Sequence, residues 1–329
     1  MSQLSFIDDL IEESLLPSPR LHTIPMPVPA GGQVSLLRED EAGYAMAGGK
    51  LRKFASLLKA WRRSEIDEVY VIGGSQSNQV LAAAQVLIQQ QMPFQLFVRE
   101  GHFQGPGNQF LSRLLVPEDK WNWISSSNWD QVEAIAGEKA IRSGGSIFVL
   151  PEGGWCRESL PGVMTLGKVF ADLPIEGIPK HIFIDAGTGL SALGLLLSIA
   201  IGLPPERWPV VHIMLAAMKP DEFQARFAEV KEWLRGYGWP LPKEGLPEFH
   251  LFQPFTAKSF GAVNSTVLTS IVRIARTYGI FTDPVYSGKL LMEAEQRIVD
   301  LELSGNICVI HSGGQSALPG FYDRLTNFL

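Results

Sequence analysis

Lys50 is the residue of this sequence whose setting best suits covalent chemistry with a carbonyl compound. It follows Gly48 and Gly49 directly and opens an amphipathic stretch that predicts a helix. Glycine carries no Cβ, so a flat ligand can approach the backbone closely here. An amine becomes nucleophilic when burial or nearby cations lower its pKa, and Arg52 and Lys53 lie within one helical turn. Lys50 is therefore a candidate Schiff-base lysine, although this segment alone is more typical of a basic helix start on the surface.

A carboxylate site is predicted at the turn that ends in Ser77, Asn78 and Gln79. A buried strand leads through Gly73-Gly74 into these hydroxyl and amide residues, which open the next helix. Ser77 is placed to cap that helix, and the N–H groups of Asn78 and Gln79 would then point at an anion above the strand end. The alternative is an ordinary capped turn between a strand and a helix.

A phosphate site is predicted at a second turn of the same kind, after the strand candidate His181–Ile184. Its five residues are Gly187, Thr188, Gly189, Leu190 and Ser191. Glycines leave N–H groups exposed, the hydroxyls add donors, and the helix that begins near Ser191 adds its positive end. A dinucleotide site is the weaker alternative, because the following strand, Val210–Leu215, ends without the acid that would bind a ribose. The sequence has neither a Walker lysine after these glycines nor a nucleophile elbow at its turn serines.

Two further turns carry groups that could act on a ligand. Pro284 restrains the residue before it to an extended conformation, so the hydroxyls of Tyr286 and Ser287 are expected to be fixed in direction. His311 precedes the pair Gly313-Gly314 at another strand end, where a ring could pass close to the backbone. The alternatives are a packing tyrosine and a hydrogen-bonded structural histidine.

Short apolar runs alternate with amphipathic stretches from residue 68 almost to the C-terminus, a rhythm typical of parallel α/β architecture. The predicted strands are Val69–Ile72, Phe94–Val98, Trp121–Ile124, Ile147–Leu150, His181–Ile184, Val210–Leu215, Phe249–Phe252 and Ile307–Ile310. The predicted helices are Asn78–Gln90, Asp130–Arg142, Ser191–Ile201, Glu222–Arg235, Ser265–Tyr278 and Lys289–Leu303. Glycine and proline between Glu152 and Gly162 indicate a domain boundary. The proline-rich segment Pro17–Pro29 predicts an extended strap over the surface.

Composition restricts the class of protein. Of 329 residues, 46% are hydrophobic and 19% charged, as in ordinary globular proteins, and the net charge of -6 provides no basic field for nucleic acid. No apolar run reaches the roughly 18 residues of a membrane span. Two cysteines, Cys156 and Cys308, form neither a disulfide framework nor a metal-binding CxxC pair, so we expect no metal site and two reduced thiols in a cytoplasmic protein. The opening residues carry acids and no basic region, which argues against a signal peptide.

The four turns together resemble the fold type II pyridoxal-phosphate (PLP) enzymes, and among them the 1-aminocyclopropane-1-carboxylate deaminase and D-cysteine desulfhydrase family. The resemblance runs from about Arg38 to the last glycine turn. Its most specific pieces are Gly48-Gly49-Lys50-x-Arg52-Lys53, Gly73-Gly74-x-Gln76-Ser77-Asn78-Gln79 and Thr282-Asp283-Pro284-Val285-Tyr286-x-Gly288-Lys289.

The resemblance implies a role for each candidate residue. Lys50 is similar to the lysine that forms the imine with PLP and later moves protons. Asn78 resembles the asparagine beside the phenolic oxygen of the cofactor. Ser77 resembles the residue that binds the substrate carboxylate, together with the N–H groups of Asn78 and Gln79. Residues 187 to 191 look like the phosphate loop. Tyr286 looks like the tyrosine that faces the substrate as an acid or base.

Three departures from the family pattern bear on the substrate. Ser287 replaces the glutamate that contacts the pyridine nitrogen, Phe260 replaces a second tyrosine, and Gly49 replaces an asparagine. A serine hydroxyl does not force that nitrogen to be protonated, and phenylalanine cannot transfer protons. These departures disfavour opening of a cyclopropane ring and favour β-elimination.

The resemblance implies two three-layer α/β/α domains with PLP in the cleft between them. The larger domain is expected to comprise residues 1–51 and 159–329, and the smaller one residues 52–158. The expected activity is a PLP-dependent lyase or deaminase that converts a small amino acid such as D-cysteine to pyruvate and ammonia, in a homodimer. The alternatives are a 1-aminocyclopropane-1-carboxylate deaminase, a PLP-binding protein with little catalysis and, without PLP, a general α/β protein that binds sugars or nucleotides.

Overall fold

Two mainly parallel sheets with flanking helices form the protein. We describe a computed structural model, which covers residues 4–16, 18–42, 48–101 and 106–329. The strands are β1 (Leu21–Ile24), β2 (Val34–Arg38), β3 (Glu68–Gly74), β4 (Phe94–Arg99), β5 (Trp121–Ile124), β6 (Ile147–Leu150), β7 (His181–Ala186), β8 (Val210–Leu215), β9 (Phe249–Phe252) and β10 (Ile307–His311). The α-helices are α1 (Lys50–Arg63), α2 (Asn78–Gln89), α3 (Asn108–Leu115), α4 (Val132–Ser143), α5 (Leu160–Ala171), α6 (Leu190–Gly202), α7 (Pro220–Tyr237), α8 (Ser265–Tyr278), α9 (Ser287–Asp300) and α10 (Tyr322–Leu325). The predicted α/β class is confirmed.

The two sheets divide the chain into a contiguous part and a part built from both ends. The small sheet has the order β5-β4-β3-β6, and all its strands are parallel. The large sheet has the order β1-β2-β10-β7-β8-β9, with only β1 antiparallel to its neighbour. Because parallel strands end at the same edge of a sheet, the turns that follow β3, β7 and β10 can meet in a cleft.

Separate apolar cores cover the faces of each sheet. The side chains of α5, α6 and α7 pack on one face of the large sheet, and those of α8 and α9 on the other. The helix predicted at Ser191–Ile201 is buried on nearly all sides, which explains why its sequence is apolar all round. None of the described helices combines the length and the apolar character that crossing a membrane requires.

Several elements differ from the sequence-based expectation. Pro17 of the predicted strap lies outside the described residues. Residues Leu21–Ile24 of the strap are extended as predicted, and they pair as an edge strand between prolines, a position that proline tolerates. Strand β2 was absent from the predicted strands, and α3 from the predicted helices.

Helix α5, Leu160–Ala171, was not among the predicted helices and begins inside the segment where a domain boundary is predicted. Pro161 lies in the first turn, where a missing N–H costs nothing. A Cβ at Gly162 would lie 1.8 Å from the carbonyl oxygen of Arg52, and one at Gly167 would lie 2.0 Å from Ser198 Oγ. These glycines permit close packing of α5 against α1 and α6 and do not break the helix.

Candidate active site

Lys50 is the first residue of α1, and its backbone is held by the turn after β10. The N–H of Gly49 donates to the carbonyl oxygen of Ser312 at 3.0 Å. Gly48 has φ +50, and a Cβ there would lie 2.6 Å from the same oxygen, so this close approach requires glycine. Burial lowers the pKa of the Lys50 amine, while the charges of Asp185 and Asp283 oppose that shift. The amine is therefore closer to its neutral, nucleophilic form than an exposed lysine would be.

The two cations predicted to assist Lys50 have different roles. Arg52 makes two hydrogen bonds of 2.7 Å to the carboxylate of Glu39 and one of 2.8 Å to Thr165, so its charge is already compensated. This buried pair joins α1 to the end of β2. Burial and the charge of Lys50 lower the pKa of Lys53 to about 7. Burial, and not a neighbouring cation, is thus the main cause of the shift at Lys50.

Ser77 caps helix α2 as predicted. Its Oγ accepts from the N–H groups of Gln79 at 3.1 Å and Val80 at 3.4 Å. The N–H of Gln79 is therefore engaged by the cap and is not bare, in contrast to the sequence-based expectation. A hydroxyl oxygen that accepts from two backbone donors still has its own hydrogen to donate. Ser77 and Asn78 are partly exposed, so the hydroxyl hydrogen of Ser77 can reach an anion.

The side chain of Asn78 has a defined orientation because Asn108 holds its oxygen. Asn108 Nδ2 donates to Asn78 Oδ1 at 2.6 Å and to the carbonyl oxygen of Gln76 at 3.0 Å. Ser316 in turn donates to Asn108 Oδ1 at 2.8 Å. The Nδ2 group of Asn78 is left as a donor on the side of Gly314, where a Cβ would lie 3.1 Å from it. A donor in this place suits an anionic oxygen of a ligand.

Residues 187 to 191 form a turn and the first residues of α6, as predicted. Gly189 has φ +86 and precedes the first helical residue, Leu190, so the N-terminal N–H groups of α6 face the end of β7. Thr188 lies against Gly153, whose carbonyl oxygen accepts a 2.5 Å hydrogen bond from Lys53 Nζ. The positive end of a helix and a buried lysine therefore lie at the same end of the cleft.

Gln79 adds a buried amide near that end. Its side chain is 2% exposed, and neither polar atom has a hydrogen-bond partner among the described residues. A Cβ at Gly154 would lie 3.2 Å from Gln79 Nε2 and 3.3 Å from a methylene carbon of Lys53. An unpartnered buried amide beside a lysine indicates that a ligand supplies the missing partner.

Asp283 organises the turn before α9. Its carboxylate accepts from the N–H groups of Val285 and Tyr286 at 2.8 Å, from the N–H of Ser287 at 2.9 Å and from Ser287 Oγ at 2.7 Å. The N–H of Asp283 donates to Ser287 Oγ at 3.0 Å. The hydrogen of the Ser287 hydroxyl is thus committed to Asp283, and toward a cofactor the oxygen can only accept.

Tyr286 lies against the turn of residues 187 to 191. A Cβ at Gly187 would lie 3.4 Å from the Tyr286 hydroxyl. Burial, together with the charges of Asp283, Asp185 and Glu152, raises the pKa of Tyr286 well above its ordinary value. The hydroxyl therefore stays protonated and is better suited to donate than to act as a base. The ring of Phe260, which is 63% exposed, lies 6.2 Å from that of Tyr286.

Two other residues of the predicted motifs have structural partners. His311 binds the carbonyl oxygen of Phe281 through Nε2 at 2.9 Å and receives the N–H of Gly313 on Nδ1, which confirms the structural alternative. Lys289 donates to the carbonyl oxygen of Ala257 at 2.7 Å and so fixes the loop that carries Phe260. Both cysteines are free, and burial raises the pKa of the Cys156 thiol to about 11.

Known proteins similar to this chain in sequence include deaminases and a desulfhydrase. A 1-aminocyclopropane-1-carboxylate deaminase of Burkholderia lata is 26% identical over 318 residues, covering 90% of this chain and 91% of that protein. A mitochondrial bifunctional D-cysteine desulfhydrase/1-aminocyclopropane-1-carboxylate deaminase of Arabidopsis thaliana is 26% identical over 336 residues, covering 94% of this chain and 78% of that protein. The chain is a homologue of these deaminases and desulfhydrases. No protein-family model matches it.

Solved structures show the shared fold. The crystal structure of a homologue of 1-aminocyclopropane-1-carboxylate deaminase superposes with a TM-score of 0.85 at 23% identity, covering 100% of this chain and 99% of that one. Threonine deaminase isoform 2 of Solanum lycopersicum superposes with a TM-score of 0.70 at 14% identity, covering 99% and 88%. The predicted resemblance to these deaminases and desulfhydrases and the predicted fold, shared with these solved structures, are confirmed.

The cleft of this deaminase and desulfhydrase homologue fits PLP. The amine of Lys50 suits an aldehyde, and Lys53 together with the start of α6 suits a phosphate. The orphaned amide of Gln79 lies near Lys53, and Asn78 presents a donor near Gly314.

Sequence reasoning missed Lys53 and Asn108 as site residues. Lys53 was read only as a cation that lowers the pKa of Lys50, and its spacing of three residues, which places it on the same helix face, was the available signal. Asn108 lies far from the motifs in sequence and had no signal of its own. The roles of the predicted site residues remain predictions.

Proposed function

We propose that the protein is a PLP-dependent lyase or deaminase that eliminates the β-substituent of a small amino acid, with D-cysteine as the first candidate. One observation carries this proposal. The Lys50 amine, whose pKa is lowered, lies in the same cleft as the N-termini of α2 and α6, and each N-terminus suits an anion. One anion is the phosphate of the cofactor, and the other is the carboxylate of the substrate. PLP supplies the electron sink that stabilises negative charge at the α-carbon.

The hydrogen bonds of each side chain determine which part of the cofactor or substrate it can bind. Ser77 donates its free hydroxyl hydrogen to the substrate carboxylate at the start of α2. Asn78, fixed by Asn108, donates through Nδ2 to the phenolic oxygen of the cofactor. Lys53 and the turn from Gly187 to Ser191 hold the phosphate.

Two residues act on the substrate. Lys50 would remove the α-hydrogen as a base, because burial favours its neutral form. The Tyr286 hydroxyl, which stays protonated, would donate a hydrogen bond to the leaving group. The products from D-cysteine are hydrogen sulfide, ammonia and pyruvate, with one water consumed.

A visible absorbance spectrum tests the proposal. The purified chain with added PLP is titrated with D- and L-cysteine, D- and L-serine and 1-aminocyclopropane-1-carboxylate, and pyruvate is assayed in parallel. We expect a cofactor band that the Lys50→Ala variant lacks and that D-cysteine shifts. Lys59→Ala is the matched control, because Lys59 lies on the same helix, partly exposed. Full pyruvate production by Lys50→Ala would refute the mechanism, and absence of any band would refute the cofactor.

A second candidate activity is opening of the cyclopropane ring, which the names of the homologues favour. Phe260 argues against it here, because its ring faces Tyr286 without a hydroxyl. We expect no 2-oxobutanoate from 1-aminocyclopropane-1-carboxylate with the parent chain, and a measurable amount with Phe260→Tyr. Turnover by the parent would reverse the order of the two candidates. Failure of every amino acid to perturb bound PLP would favour a binding protein with little catalysis.

The remaining expectations complete the proposal. We infer a homodimer in the cytoplasm, with a larger domain of residues 1–51 and 159–329 and a smaller domain of residues 52–158. Both ends of the chain contribute strands to the large sheet, and residues 68 to 150 contain all of the small one, which supports this division. Light scattering of the purified chain tests the oligomeric state.

A further inference from the structure

Ser316 is a buried polar residue outside the predicted motifs, and it joins parts of the chain that belong to different sheets. It lies in the short 3-10 helix Gln315–Phe321, which follows β10 of the large sheet. Its hydroxyl donates at 2.8 Å to Oδ1 of Asn108, the first residue of α3, which lies between β4 and β5 of the small sheet in the chain. Asn108 is 0% exposed and Ser316 is 9% exposed, so this hydrogen bond is shielded from water.

The hydrogen bonds of Asn108 determine which end of its amide faces each neighbour. Its Nδ2 group donates to the carbonyl oxygen of Gln76 at 3.0 Å, and a carbonyl oxygen can only accept. The second hydrogen of that group is donated to Asn78 Oδ1 at 2.6 Å, and Asn108 Oδ1 accepts from Ser316. The opposite orientation of the Asn78 amide would place two NH2 groups against each other. The Asn78 amide therefore directs its Nδ2 group away from Asn108.

The same segment after β10 also lies beside the other end of the Asn78 amide. A Cβ at Gly314, which has φ +94, would lie 3.1 Å from Asn78 Nδ2. The segment further contacts the start of α3, since a Cβ at Gly107 would lie 3.3 Å from the Cα of Gly320. Both ends of the Asn78 amide are thus bounded by this segment, one directly and the other through α3.

We propose that Ser316 is a positioning residue for Asn78. Through Asn108 it sets the orientation of the Asn78 amide, so the Nδ2 donor is available to an anionic oxygen only while the segment after β10 lies against α3. The inference rests on the proposed function in one respect, namely that the phenolic oxygen of PLP receives this donor. It makes cofactor binding depend on a contact between residues 208 positions apart in the chain.

The first test compares two compounds in the full-length chain after bound carbonyl compounds have been removed with hydroxylamine. PLP and 3-deoxypyridoxal phosphate, which lacks the phenolic oxygen, are titrated, and dissociation constants are measured by quenching of tryptophan fluorescence. We expect Ser316→Ala to weaken binding of PLP about fivefold and to leave binding of the deoxy compound unchanged. General damage to the fold would weaken the binding of both compounds.

Further variants make the comparison specific. Ser316→Thr keeps the hydroxyl, so we expect it to bind PLP as the parent does. Ser112→Ala is the control, because it removes another buried hydroxyl of α3 that has no hydrogen-bond partner among the described residues. We expect this control to bind both compounds as the parent does. If Ser316→Ala does not fold, Ser316→Cys takes its place, because a thiol is a weak donor.

A second readout needs no cofactor. Asparagine is labelled with ¹⁵N, and the exchange of side-chain amide hydrogens with water is measured by NMR, with the Asn108 signals identified by their loss in Asn108→Asp. Both Nδ2 hydrogens of Asn108 are donated in the structure, so we expect slow exchange in the parent. Ser316→Ala leaves the buried Asn108 oxygen without a partner, and we expect exchange about fivefold faster. Ser112→Ala should keep the parent rate.

Parent-like affinity for PLP in Ser316→Ala, or equal weakening of both compounds, would overturn the inference. Loss of PLP affinity in Ser316→Thr as large as in Ser316→Ala would also overturn it, because the hydroxyl would then not be the group that matters. If neither compound binds to the parent, the proposed function fails and the exchange rates decide the inference. A parent-like rate for Asn108 in Ser316→Ala would then overturn it, and a faster rate would support it.

Discussion

Lys53 allows a quantitative prediction about the stability of the chain. Its side chain is 3% exposed, and burial and the charge of Lys50 lower its pKa from 10.5 to about 7. Between these two pH values Lys53 is neutral in the folded chain and charged in the unfolded chain, so unfolding takes up a proton. Raising the pH through this window makes unfolding less favourable, so the ligand-free chain becomes more stable as the pH rises.

The size of the effect follows from the two pKa values. One pH unit inside the window corresponds to about 1.4 kcal/mol, with a smaller slope near pH 7, where the folded state still binds part of a proton. From pH 7 to pH 9 the contribution of Lys53 amounts to about 2 kcal/mol. Lys53→Met, which keeps the length of the side chain and removes the charge, abolishes this contribution.

Urea unfolding followed by tryptophan fluorescence measures the effect. The free energy of unfolding of the parent minus that of Lys53→Met should increase by about 2 kcal/mol between pH 7 and pH 9, because groups common to both chains cancel. Lys59→Met is the control, since Lys59 on the same helix remains in contact with solvent. A difference between parent and Lys53→Met that stays constant over this range would show that the amine is not buried as described.

Three further outcomes are expected. Gly162→Ala should cost more than about 3 kcal/mol of unfolding free energy, because its Cβ would collide with the Arg52 backbone, whereas Gly137→Ala in α4 should be neutral or stabilising in the same urea experiment. Arg52→Leu should cost about 3–5 kcal/mol by leaving Glu39 buried and unpaired, and the Glu39→Leu/Arg52→Leu double variant should recover part of it; equal stability of single and double variants would refute the pairing. Asn108→Leu should weaken PLP binding about tenfold in a fluorescence titration through Asn78, with melting temperature as the check on folding.

The predictable part of the fold was the part with strong local signals. Mostly apolar runs identified the eight strands from β3 to β10, because strands covered by helices on both faces are rich in apolar residues. Helix α5 was hidden because Pro161, Gly162 and Gly167 usually break helices. The two glycines are required because helices α1 and α6 approach α5 too closely for a Cβ. The sequence of α5 alone does not contain that information.

The same distinction holds for the site. Turn glycines and caps such as Ser77 are local features, and the structure places them as expected. The partners of Arg52, Asn78 and Lys50 come from distant segments, namely Glu39, Asn108 and Ser312. The sequence predicts that Arg52 lowers the pKa of Lys50. In the structure Arg52 is paired with Glu39, a contact between distant segments that the sequence does not reveal.

The pairing of β2 with β10 has a consequence for the order in which the chain can fold during synthesis. Residues 34 to 38 lie beside residues 307 to 311, so β2 has no parallel neighbour until nearly all of the chain has left the ribosome. The small sheet, from β3 to β6, can form long before that, because domains that emerge first generally fold first. Meanwhile β2 exposes the edge of an apolar strand, which is open to wrong pairing with other nascent chains. A chain shortened before β10 would lose the strand that joins β2 to β7, and with it the continuity of the large sheet.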